Sequence, residues 1–157
     1  MQPILIVTHV DHEGPGYFAQ VLDRNAIPYR VVSIGRGEAL PERADTFSGL
    51  VFMGGPMSVN DPLPWIEQEL TLIRNAVAAS IPVLGHCLGG QLISKALGGT
   101  VTRNRAHEIG WFDVEQITPR SSAAWFADLP THFPAFHWHG ETFSLPTGAT
   151  SLLRNDN

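Results

Sequence analysis

Residues 81–99 read IPVLGHCLGGQLISKALGG, and how this stretch folds decides the architecture of the chain. An apolar run passes through glycine and cysteine directly into QLISKAL, a helix-forming pattern that Gly98 and Gly99 stop. A buried strand that turns at once into a helix is one unit of a parallel α/β sheet. Upstream, the same alternation repeats. Ile4–Val7 (ILIV) is an unbroken apolar run, and Gly14, Pro15 and Gly16 break the chain before a helix with Phe18 and Leu22 on one face. A strand near Tyr29–Ile34 follows, then Leu50–Met53 (LVFM) running into GGPMS. Pro64 opens the clearest helix, with Ile66, Leu70, Ile73 and Val77 as one apolar stripe. From Thr100 the texture changes. VTRN, GWFDVEQI and PAFHWHGETF read as strands without long helices between them, so a short antiparallel extension is expected after residue 100. The expected fold class is α/β with a mostly parallel sheet.

The bulk numbers fit one domain over residues 1–157. At 43% hydrophobic and 16% charged, the chain has material for one ordinary core. Net charge is −5 and no two basic residues are adjacent, which argues against a nucleic-acid footprint. MQPILIVTHV lacks a basic segment before its short apolar run and reads as a first strand, not a signal peptide. No run approaches a membrane span. Cys87 is the sole cysteine, so an intrachain disulfide is excluded and a cytoplasmic protein is expected.

A thiol at a tight strand–turn–helix bend is lifted clear of the backbone, and flanking glycines remove side chains that would crowd it. The helix that follows directs unpaired N–H groups and a positive dipole end at the sulfur, which favours thiolate. Cys87 also sits at the carboxyl end of a strand, where open α/β sheets bind ligands. The bland alternative, a small buried hydrophobe, fits that position poorly. GGPMS ends the preceding strand on the same edge, so its amides can meet those after Cys87 to form an oxyanion hole.

Four motifs in order, MGGPMS, PVLGHCLGGQLISKALGG, EIGWFDVE and WHGETFSLP, resemble the class I glutamine amidotransferase family, in particular its stand-alone branch with a domain like that of GMP synthase. The resemblance covers nearly all 157 residues. It implies a flavodoxin-like three-layer sandwich and hydrolysis of the γ-amide of glutamine, or of a γ-glutamyl compound, through a thioester on Cys87. It further implies that the amides of Gly55 and Leu88 bind the oxyanion. Gln91, Trp138, Gly140 and Glu141 become the implied substrate contacts. No cofactor is implied. The ammonia acceptor, if there is one, would be a separate synthase, since no synthase domain lies in this chain.

The thiol's base is the departure. The family carries a His-x-Glu pair on a late strand, and no such motif follows Leu153, so the resemblance implies a C-terminally incomplete domain with little glutaminase activity. His137, His139 and Glu141 alternate on a predicted strand and share one face, which makes His139 a candidate base with Glu141 as its partner. Their flanks match the upstream substrate segment better. His86 lies beside the thiol on a turn that points the two apart, and His107 and His132 have no partner in sequence. His-x-His is also a candidate ligand pair, but no second cluster at ligand spacing accompanies it, so no metal is expected. Two other functions stay open on these residues: a γ-glutamyl peptide hydrolase and a non-catalytic glutamine-binding or regulatory module. Redox or deglycase-like chemistry of other cysteine-elbow proteins fits the GGP and WHGE segments poorly.

Overall fold

The computed structural model describes residues 1–117, 125–126 and 128–155. Four parallel strands form the central sheet in the order β2-β1-β3-β4: β1 (Ile4–Thr8), β2 (Tyr29–Ser33), β3 (Gly49–Phe52) and β4 (Val83–Gly85). Three helices connect or follow them: α1 (Gly16–Arg24), α2 (Pro64–Ala78) and α3 (Leu88–Ala96). Alternation along β1 explains the layering, because successive side chains point to opposite faces. Leu5 and Val7 join Leu50 and Phe52 in the larger core, against Ile66, Leu70 and Ile73 of α2 and Leu88 and Leu92 of α3. Ile6 and Val51 face the other way, onto Leu22 and Phe18 of α1. The architecture is the expected flavodoxin-like α/β fold.

Two details differ from the sequence reading. The stripe on α2 bends away at its end: Val77 is 42% exposed, and Ala76 carries the buried face instead. VTRN and GWFDVEQI form one long strand, β5 (Val101–Gln116), whose pairing slips between Arg103 and Glu108. Paired with β6 (His132–Phe143) and the short β7 (Leu153–Arg154), it makes the antiparallel extension, in the order β6-β5-β7. WHGE therefore lies on a strand. In this register Glu108 stands opposite His139, while Ile109 and Trp111 stand opposite Trp138 and Phe136 on an exposed face.

The chain steps from β1 to β2 on one side and then to β3 on the other. The segments after β1, β3 and β4 consequently meet at one edge, at the reversal of strand order where such sheets bind ligands. Among the described residues no helix is long and apolar enough to cross a membrane.

Candidate active site

Gly85 and Gly89 build the bend around Cys87. A Cβ on Gly89 would overlap the Phe52 carbonyl, and one on Gly85 would overlap the backbone of Gly89 and Gly90. Only with both side chains absent can α3 start this close to β3 and β4. Cys87 itself takes φ 53° and ψ −110°. A non-glycine residue held there is strained, and such strain collects at functional sites.

The thiol is exposed to a cavity of about 640 Å³ lined by Gly55, Gln91, Trp138, His139, Gly140 and Glu141, among others. The structure thus places these residues around Cys87. Leu88 contributes differently: its side chain is buried in the core, while its backbone N–H faces the sulfur. Gly55 packs its inner side tightly against Leu88 and His9, so a Cβ there would force one of them to shift. The wall opposite is tied down by polar bonds. Ser58 of GGPMS donates to the Glu141 carboxylate at 2.9 Å, Gln91 donates to the Glu141 carbonyl at 3.4 Å, and Ser94 donates to the Ser144 carbonyl at 2.8 Å.

The electrostatics of the thiol reverse the expectation from the helix start. Burial is the largest influence and raises its pKa, the Leu88 amide lowers it, and the negative Glu13 raises it again; the net shift is upward. Cys87 is held as a thiol in this arrangement, directed at the Trp138 carbonyl at 3.7 Å. Among the described residues no histidine lies within hydrogen-bonding reach of its sulfur.

The late histidines have different partners from those the alternation implied. Glu141 turns its carboxylate to Ser58, not to His139. His139 instead places Nε2 at 3.0 Å from Glu108 Oε2 and Nδ1 at 3.1 Å from the Glu141 carbonyl. Both ring nitrogens face acceptors, so when both bonds form neither has a lone pair to take a proton. His137 Nδ1 approaches the same Glu108 oxygen at 2.7 Å, and Asn155 donates to Oε1 at 3.1 Å. Burial, the largest influence on Glu108, raises its pKa, but hydrogen bonds from His137 and Asn155 and the charge of both histidines outweigh it and hold the carboxyl below its ordinary range.

Sequence spacing missed Glu108, because its partners are 29 and 31 residues away and only strand register brings them together. Ligand atoms of Glu108, His137 and His139 lie within 4.8 Å of one another, so these residues could hold a divalent cation. Glu108 is already hydrogen-bonded to His137 and Asn155, with His139 at ion-pair distance. His107 stacks against the bare face of Gly140, His86 lines a second cavity that also borders Cys87, and His132 lies 3.7 Å from Glu115.

Comparison with known proteins shows the family and the fold. Residues 19–157 match the family described as "Glutamine amidotransferase class-I". The chain is 31% identical over 155 residues to the glutamine amidotransferase-like protein YfeJ of Salmonella typhimurium, covering 96% of this chain and 65% of that protein. A glutamine amidotransferase from Methylobacillus flagellatus superposes with a TM-score of 0.95 at 43% identity, over 99% of this chain and 62% of its own. One from Thermotoga maritima gives a TM-score of 0.89 at 30% identity, over 98% and 67%. A GMP synthase from Thermomicrobium roseum is 34% identical over 115 residues, 69% of this chain and 19% of that protein. The chain thus spans under two thirds of the length of YfeJ and of the Methylobacillus protein.

Proposed function

We infer that the chain, which belongs to the class I glutamine amidotransferase family, uses Cys87 to open the side-chain amide of glutamine. The supporting observation is one cavity that unites a strained thiol at a helix start with the GGP loop and the Trp138–Glu141 segment. The thiol sulfur attacks the amide carbon, and the C=O electron pair becomes an oxyanion facing the Gly55 and Leu88 amides. The C–N bond then breaks, and ammonia leaves with the thiol's proton. Water cleaves the resulting γ-glutamyl thioester, giving glutamate and restoring Cys87. Trp138, Gly140 and Glu141 hold the amino-acid end of glutamine, with Gln91 bracing the Glu141 backbone.

The proton is the slow element of this scheme. A thiol shifted upward and out of reach of any described histidine transfers its proton poorly, so the 157-residue chain is expected to release ammonia slowly. A synthase in the cytoplasm is the proposed acceptor of the ammonia, in keeping with the GMP synthases that the chain resembles. Ammonia release from glutamine, compared between wild type, Cys87→Ser and His139→Ala, tests the reading. A slow rate abolished by Cys87→Ser and kept by His139→Ala is expected. A rapid rate lost in His139→Ala would show that His139 leaves Glu108 to act as the base.

A further inference from the structure

His9, the first residue after β1, belongs to a buried pair that the scheme above does not use. His9 is 1% exposed and Glu69 of α2 is fully buried, 60 residues apart in sequence. His9 Nε2 lies 3.2 Å from Glu69 Oε2, and the Trp65 ring covers the imidazole with centroids 5.2 Å apart. Among the described residues Glu69 Oε1 has no hydrogen-bond partner. Burying an imidazole and a carboxyl group beneath a loop is costly, and one carboxyl oxygen left bare makes it costlier.

The other ring nitrogen shows what the pair does. His9 Nδ1 lies 3.1 Å from the carbonyl of Gly54. A carbonyl oxygen only accepts, so this bond requires a hydrogen on Nδ1. With the hydrogen on Nδ1, Nε2 meets Glu69 in one of two ways: it accepts from a protonated carboxyl, or it is the second N–H of an imidazolium facing a carboxylate. The bond links the segments after β1 and β3 at the reversal of strand order. Gly54 and Gly55 are joined by a trans peptide, whose C=O and N–H point to opposite sides. Holding the Gly54 oxygen on the buried side therefore turns the Gly55 N–H toward the side where Gly55 and Cys87 share the cavity.

We propose that His9, backed by Glu69, is a positioning residue that aims the Gly55 amide at the oxyanion formed on Cys87. The inference rests on the reading of Cys87 as the nucleophile and adds the device that orients its oxyanion donor. Without the His9 bond the Gly54–Gly55 peptide is free to rotate, and the donor is lost while the thiol is untouched.

Two reagents separate these effects on the full 157-residue chain. Iodoacetamide alkylation needs only the thiolate. The nitrile 2-amino-4-cyanobutanoate corresponds to glutamine: the sulfur adds to its nitrile carbon, the thiol proton passes to nitrogen, and the thioimidate nitrogen occupies the oxyanion position. Binding of the nitrile to His9→Phe is expected to weaken roughly hundredfold, the usual cost of one oxyanion donor, with the iodoacetamide rate within about twofold of wild type. Glu69→Gln still fills the Nε2 position by donating its amide hydrogen, so it should bind the nitrile within about threefold of wild type, and Glu69→Met should fall between the two.

Equal nitrile binding by His9→Phe and wild type would overturn the proposal, as would an iodoacetamide rate that falls in parallel. No nitrile adduct on the wild-type chain would sink the nucleophile reading itself, and this inference with it. Should His9→Phe fail to fold, imidazole nitrogen-15 spectra of wild type decide. A hydrogen on His9 Nδ1 supports the proposal, and a neutral ring protonated only at Nε2 contradicts it.

Discussion

Ser58 and Glu141, 83 residues apart in sequence, are joined by a 2.9 Å hydrogen bond across the mouth of the Cys87 cavity. The bond locks the loop after β3 to β6, so the two segments assigned to oxyanion and substrate binding move as one body. Glu141→Ala is expected to cost about 1 kcal/mol of stability, the usual worth of such a bond, while Glu141→Gln retains an acceptor and most of that stability. Glu141→Ala should also raise the glutamine concentration needed to protect Cys87 from alkylation. Protection at the same concentration in both variants would show that the lock does not shape the substrate site.

The glycines of the elbow differ sharply in what replaces their hydrogens. Gly89→Ala drives a methyl group into the Phe52 carbonyl, so α3 must retreat from the sheet. The expected cost is about 3 kcal/mol, read from the urea midpoint, with loss of Cys87 alkylation by glutamine analogues. Gly14→Ala meets nothing within 4 Å and serves as the control. Its stability should change by no more than about 0.5 kcal/mol.

Two buried carboxyls pull stability in opposite directions with pH. Burial, opposed by the His9 bond, raises the pKa of Glu69, so the folded chain holds that proton more tightly than the unfolded chain. Its contribution is greatest below the ordinary carboxyl range and weakens as pH climbs toward the raised value. Glu108 is shifted down in the folded state, so its contribution is present above the ordinary range and is lost as pH falls through the lowered value. Urea midpoints measured across pH should show a shallower alkaline decline in Glu69→Gln and a shallower acid decline in Glu108→Gln. Identical profiles in all three proteins would contradict both assignments.

The negative charge of Glu13 acts on the thiol, and its effect is upward. Glu13→Gln removes that negative charge at nearly constant volume, so the alkylation rate of Cys87 near neutral pH should rise and its pH midpoint should move down. An unchanged midpoint would leave burial alone as the cause of the shift.

What could be read from the sequence was local. ILIV and LVFM announced buried strands, and the glycines around Cys87 announced a backbone packed too closely for side chains. IPVL read the same way, but it forms an edge of the four-stranded sheet, where Leu84 is left 43% exposed. Partners set by register or topology could not be read. Nothing in the spacing of His9 points to Glu69 or Gly54, and nothing in HWHGE points to Glu108. The thiol misled for the same reason. A helix start favours thiolate, but Glu13 and the enclosing walls arrive from distant parts of the chain and outweigh it. On α2 a regular stripe overran the helix's buried face by one residue, since packing at its end is carried by Ala76 and not Val77.

The central claim is that Cys87 is the nucleophile of an assembled glutamine site. Intact mass spectrometry after treatment with a glutamine-like diazoketone tests it most directly. A single adduct on Cys87, absent in Cys87→Ser and blocked by excess glutamine, is expected. An unmodified chain, or an adduct that glutamine does not prevent, would contradict it.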